Sequence, residues 1–200
     1  MSEILFVTDF VCPYCIVAKE ALLAAMEETG IHAKIRIQPL ELTEEPNERV
    51  DTYHDEQRKS HYGILEAPAE ELGLAVKFPP NVVPRPYTRL AFEGWYFAED
   101  KGCGDRYADL VYRAYFIDEK DIGELSVLRE LAETAGLDPQ EFTQALTDGI
   151  YTAREKEAVR YSREVLKVEG VPTIYIDGKQ AELSEYSKAE MARILREVAQ

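Results

Sequence analysis

The β-type segments of this chain lie at its two ends, with helical patterning between them, so any sheet it forms must join residues far apart in sequence. Residues 3–9 hold Ile4, Leu5, Phe6 and Val7 in one apolar run. Such a run suits a central strand covered on both faces. Residues 13–29 are rich in Ala, Leu, Met and Glu and read as a helix, with Gly30 where a left-handed C′ residue belongs. Residues 32–38 alternate as a second strand. This order predicts a parallel, right-handed βαβ unit. At the other end, residues 171–177 read as a strand. Asp177-Gly178-Lys179 turns into a short antiparallel partner at about residues 180–183. Ser187 and Glu190 have capping-box spacing and open a last helix with Met191, Ile194, Leu195 and Val198 on one face.

Residues 41–75 carry ten acids against three bases. They read as a solvated connection with one or two short helices, and their position allows a cleft rim that would favour cationic substrates. Pro79, Pro80, Pro84 and Pro86 exclude a regular helix there. Helical spacing then returns at residues 87–100, 105–117, 124–135 and 150–167, and Asp138-Pro139-Gln140-Glu141 supplies an N-cap, an N1 proline and an N3 glutamate. The expected organisation is a single α/β domain over residues 1–200. Its sheet comes from about 1–40 and 168–200, and a helical insertion occupies about 41–167.

Charge and cysteine content limit the function. There are 23 basic and 38 acidic residues, a net charge of −15. This argues against nucleic acid and against an anionic membrane surface, both of which demand local excess of Lys and Arg. No segment reaches the ~18–20 apolar residues of a membrane span. The first residues lack the basic and apolar regions of a secretory signal, which points to the cytoplasm. Three cysteines are no disulfide framework; in a reducing compartment such residues are more often catalytic or metal-binding.

Two of them form Cys12-Pro13-Tyr14-Cys15, where the first strand gives way to the first helix. Cysteines at i and i+3 on a first helical turn share a side and can close a disulfide. Cys12 would stand at the helix N-terminus, whose unpaired N–H groups and dipole favour a thiolate. Cysteines so placed have pKa values of ~3.5–7.5. Cys12 is therefore the candidate nucleophile, expected to be exposed, and Cys15 the more buried resolving thiol. Pro13 suits a first turn because its missing N–H would have no helical acceptor. A zinc site needs four ligands; only Cys103, His32, His54 and His61 remain, at unsuitable spacing, so no metal is assigned.

Asp9-Phe10-Val11-Cys12-Pro13-Tyr14-Cys15, the helical insertion and Gly170-Val171-Pro172-Thr173 together resemble a DsbA-family protein with a thioredoxin fold. The resemblance is closer to the FrnE-like branch, whose insertion residues 115–137 match closely and whose pre-helix segment residues 84–92 match loosely; residues 41–80 match least. It implies a thiol–disulfide oxidoreductase or isomerase acting on protein or small-molecule disulfides and dithiols, as a monomer or homodimer. No cofactor is implied beyond glutathione or a thioredoxin system as electron partner. It also implies that Pro172 is cis beside the cysteines, that Val171 offers its backbone to substrate, and that Pro13 and Tyr14 support the site. A reduction potential within ~−270 to −120 mV is expected. The chain departs from the best-known members, which are periplasmic and carry a signal peptide. The alternative is a glutathione-dependent enzyme like the kappa-class transferases or 2-hydroxychromene-2-carboxylate isomerases, which resemble this architecture but use a serine where Cys12 stands.

Four lesser residues complete the candidates. Cys103 reads as a loop cysteine. His54 and His61 read as exposed helix residues, with substrate contact the minority reading. Asp9 either accepts a proton from Cys15 or caps the turn.

Overall fold

The computed structural model describes residues 3–198, apart from the side chain of Val198. Strand β1 (Glu3–Thr8) leads into helix α1 (Pro13–Thr29) and strand β2 (Lys34–Pro39). From the other end, β3 (Thr173–Ile176) and β4 (Lys179–Gln180) precede α9 (Lys188–Val198). They form one sheet in the order β2-β1-β3-β4. β1 runs parallel to β2 and antiparallel to β3, and β3 runs antiparallel to β4. β1 is thus a central strand, as its apolar run requires; Ile4, Phe6 and Val7 are all enclosed. The expected first partner strand begins two residues late and β4 is shorter than expected, because pairing stops at Lys179–Ile176 and Gln180–Tyr175.

Helix α1 buries residues on nearly all its faces, including Val17, Ala18, Ala21, Leu22 and Ala25. A helix apolar all round belongs inside a protein. Its small alanines let α9 pack along it, where Met191, Ile194 and Leu195 are buried and Lys188 and Arg196 pair with Glu28. Val198, predicted on the same face, has its side chain outside the described residues. Lys19, also buried, reaches Glu20 and Asp109 and so ties α1 to α5. Gly30 ends α1 at φ 67°, a left-handed geometry that a side chain would strain.

The insertion holds short helices α2 (Glu56–Tyr62) and α3 (Glu66–Glu71), joined by the 3-10 turn Gly63–Leu65. Then follow α4 (Arg89–Asp100), α5 (Gly104–Phe116), α6 (Leu125–Ala135), α7 (Pro139–Thr147) and α8 (Thr152–Arg160). Asp138 caps α7 as predicted, accepting from the Gln140 and Glu141 amides. The C-terminal capping box is half made. Ser187 Oγ accepts from the Glu190 amide, but the Glu190 carboxylate turns to Ser184 and Arg193 instead of the Ser187 amide.

The helix expected over 150–167 is shorter because it docks on β2. It passes at Arg160 into a π-helical turn, Tyr161–Val165. There Ser162 Oγ donates to the Pro39 carbonyl and accepts from Gln38 Nε2. Such π-turns re-aim a side chain without ending the helix. Beside this joint, Glu41, Glu93 and Glu155 are all buried. Neither Glu155 carboxyl oxygen has a donor, and one oxygen each of Glu41 and Glu93 is likewise unpartnered.

Candidate active site

The site begins where β1 stops. The Cys12 amide donates to the Asp9 carbonyl at 3.0 Å, closing the turn between β1 and α1. Cys12 is the N-cap of α1 and Pro13 its first residue. The Cys12 carbonyl then accepts from the Cys15 and Ile16 amides, so both cysteines face the same end of the helix. Among the described residues they are free thiols.

The expectation that Cys12 is well exposed is corrected: it is 2% exposed. Its sulfur donates to the Val171 carbonyl at 3.4 Å, in the loop entering β3, which partly covers it. The residue still borders a cleft of about 560 Å³, its route to a substrate. The Val171–Pro172 peptide is cis, and Pro172 is buried. The pairing of β3 with β1 thus brings residues 170–172 against a motif some 160 positions earlier.

Cys15 is fully enclosed. Burial pushes its thiol well up, the neighbouring Cys12 adds to this, and the Thr8 hydroxyl and Asp9 backbone act weakly the other way. The Thr8 hydroxyl also bonds the buried Tyr112 hydroxyl, so two hydroxyls stand behind the inner sulfur. Tyr14 walls the cleft. Its hydroxyl donates to the His61 carbonyl of α2 at 3.1 Å and its ring lies 5.2 Å from that of Tyr186.

Asp9 is buried and caps no helix. Its Oδ2 accepts from the Leu42 amide at 2.7 Å, tying the end of β1 to the segment after β2, and its Oδ1 is buried without a partner. Burial raises its pKa, against the Leu42 bond and the Arg85 charge. Of the other candidates, only His61 borders the cleft, together with Asp55, Gln57, Arg58, Tyr62 and Arg85. His54 is exposed and bonds Asp51. Cys103 precedes α5 and is half-buried. Among the described residues no group of three or more His, Cys, Asp or Glu is placed to hold a metal. Of the ten acids in residues 41–75, Asp55 alone borders the cleft, and its carboxylate is taken by the Arg58 amide and guanidinium. The acidic stretch therefore does not form the negative rim that its position allowed. Arg58, Arg85 and Tyr62 carried no motif in sequence; the Pro84-Arg85-Pro86 spelling was the available signal for Arg85.

A cysteine pair on the first turn of a helix, facing a cis-proline loop across the end of a four-stranded sheet, is also the arrangement of a known family. Residues 3–191 match the DSBA-like thioredoxin domain. The chain belongs to that family. It is 35% identical over 170 residues to the uncharacterized protein YwbO of Bacillus subtilis, covering 84% of each chain. Its fold is similar to that of a probable DsbA oxidoreductase from Streptomyces coelicolor (TM-score 0.81, 22% identity, 100% of this chain and 90% of that one). It is also similar to the cytosolic disulfide reductase DsbM of Pseudomonas aeruginosa (TM-score 0.69, 19% identity, 98% of each chain). None of the described helices is long and apolar enough to cross a membrane.

Proposed function

We propose that the protein is a thiol–disulfide oxidoreductase in which Cys12 attacks and Cys15 resolves. The observation that supports this most is the contrast between the two sulfurs: Cys12 borders the cleft, whereas Cys15 is sealed one turn behind it. In the reductive direction the Cys12 thiolate attacks a substrate disulfide, forming a mixed disulfide and releasing one substrate thiolate, which takes up a proton. Cys15, having lost its proton, attacks the Cys12 sulfur and releases the second thiolate. The protein ends as the Cys12–Cys15 disulfide and the substrate as two thiols. The reverse sequence oxidises a dithiol.

Pro13 and Tyr14 hold the motif in place, and Pro172 and Val171 form the wall facing it. While Cys12 is a thiol, its S–H donates a hydrogen bond to the Val171 carbonyl; once the thiolate forms, that carbonyl is free to accept from a substrate amide. The DsbM likeness favours a reducing, cytoplasmic setting, and glutathione or a thioredoxin system as electron partner. The FrnE-like branch remains the resemblance that residues 115–137 support.

The test is the redox equilibrium of the pair in graded glutathione buffers, read by alkylation and mass mapping. The expected result is a reversible two-electron transition, abolished by Cys12→Ser, with Cys15→Ser trapping a mixed disulfide. Absence of an intramolecular disulfide at every ratio would overturn the proposal. A stable glutathione adduct on Cys12 in its place would favour the glutathione-dependent isomerase or transferase.

A further inference from the structure

We infer that the cleft beside Cys12 is built for small disulfides that carry a carboxylate, and that Arg85 is the residue that binds it. The inference rests on the proposed thiol–disulfide exchange and names its substrate class. Arg85 is 7% exposed and borders the cleft shared with Cys12 and Val171. A buried guanidinium normally has a carboxylate partner, since an uncompensated buried charge is costly. Arg85 has none: among the described residues no carboxylate oxygen lies within 4.0 Å of it. Its side chain is held by one neutral bond, Nη2 to Thr43 Oγ1 at 2.8 Å, and its Nε has no partner. Its amide donates to the Val50 carbonyl at 2.9 Å, so the residue is fixed at both ends.

Asp9 is an acid whose charge acts on Arg85, but its carboxylate lies beyond ion-pair distance and its Oδ2 is taken by the Leu42 amide. The other charges bordering the cleft cancel, because Asp55 pairs with Arg58. Arg85 is therefore a buried guanidinium of this cleft with no carboxylate among the described residues within ion-pair distance, and at about 560 Å³ the cleft has a volume suited to a small ligand. Planar guanidinium donors match a carboxylate in geometry as well as charge. The whole chain, at −15, pulls the other way and would draw cationic substrates. A preference for anions can then come only from the cleft.

The experiment uses the full, reduced protein and a series of disulfides: 3,3′-dithiodipropionic acid, its dimethyl ester, bis(2-hydroxyethyl) disulfide and cystamine. The second-order rate of Cys12–Cys15 disulfide formation is followed by acid quench and alkylation. Each rate is divided by that of the same disulfide with 2-mercaptoethanol, which removes intrinsic reactivity. In the wild type the diacid is expected to exceed its ester and cystamine. In Arg85→Gln the diacid-to-ester ratio is expected to fall about 10–100-fold, the usual range for a hydrogen bond to a charged group. If that variant does not fold, as judged by circular dichroism, the wild-type comparison of diacid and ester decides alone. A diacid no faster than its ester, or an unchanged ratio in Arg85→Gln, overturns the inference while leaving the exchange reaction standing. If none of the four disulfides oxidises the pair, the exchange reaction falls and the inference falls with it.

Discussion

Replacing Glu155 by Gln should stabilise the protein, by an amount that grows with pH. Glu155, on α8, is wholly enclosed, and neither carboxyl oxygen has a donor. Burial is the main cause that pushes its pKa up to about 9, with Glu41 and Glu93 adding like-charge repulsion. Glu41, which borders a cavity of about 330 Å³, is raised less, to about 7. Glu155 and Glu41 act on each other's titration, so a protonated Glu155 is favoured beside Glu41. The folded state therefore holds this proton more tightly than the unfolded chain, whose glutamate titrates near 4.5. Between those two values folding takes up a proton, and stability falls as pH rises.

The limiting slope for one such group is about 1.4 kcal/mol per pH unit. Coupling to Glu41 makes about 1 kcal/mol per unit a reasonable expectation between pH 6 and about 8.5. The side-chain amide introduced by Glu155→Gln does not titrate, so the variant should lose that slope and gain on the wild type at each higher pH. Urea unfolding at pH 6, 7, 8 and 9, with the cysteines kept reduced, measures both curves. Parallel curves, or a variant less stable than the wild type at pH 9, would refute the assignment of the proton to this site.

Two further outcomes follow from the packing. In the reduced protein iodoacetamide should label Cys12 before Cys15, because only Cys12 borders the cleft and burial keeps the Cys15 thiol protonated; equal labelling by mass mapping would contradict their assigned roles. Gly94→Ala should destabilise by about 1–3 kcal/mol despite the better helix propensity of alanine, with the urea midpoint as readout. A Cβ at Gly94 would meet the Tyr107 hydroxyl at 2.3 Å and Phe142 Cζ at 2.7 Å, both on fully buried rings.

The parts of this molecule that sequence revealed are those governed by local rules. Ile4 to Val7 announced a central strand, Gly30 a helix stop and Asp138 an N-cap, each because the cause lies within a few residues of the effect. The motif was legible for the same reason, since Cys12, Pro13 and Cys15 belong to a single helical turn. What was hidden depends on distant partners. The covering of Cys12 comes from Val171, the shortening of the last insertion helix from Ser162 meeting Pro39, and the unfinished capping box from Arg193 competing for Glu190. The cleft was the least legible part. Its wall is assembled from α2 and the proline-rich segment, where composition suggested a solvated acidic rim, and the pairing of Asp55 with Arg58 reverses that impression.

The distance along the chain between Cys12 and the carbonyl it meets, 159 positions, also sets a timetable. A ribosome adding about 5–20 residues per second needs roughly 8–30 s to make that stretch. Throughout that interval the nascent chain has its two thiols but neither β3 nor the loop that covers Cys12. A thiol destined to be sealed is thus born open, and must survive its own synthesis in reduced form or be repaired afterwards. Chains stalled on the ribosome before residue 170 should accordingly show Cys12 alkylated faster than it is in the finished protein, where the Val171 loop covers it.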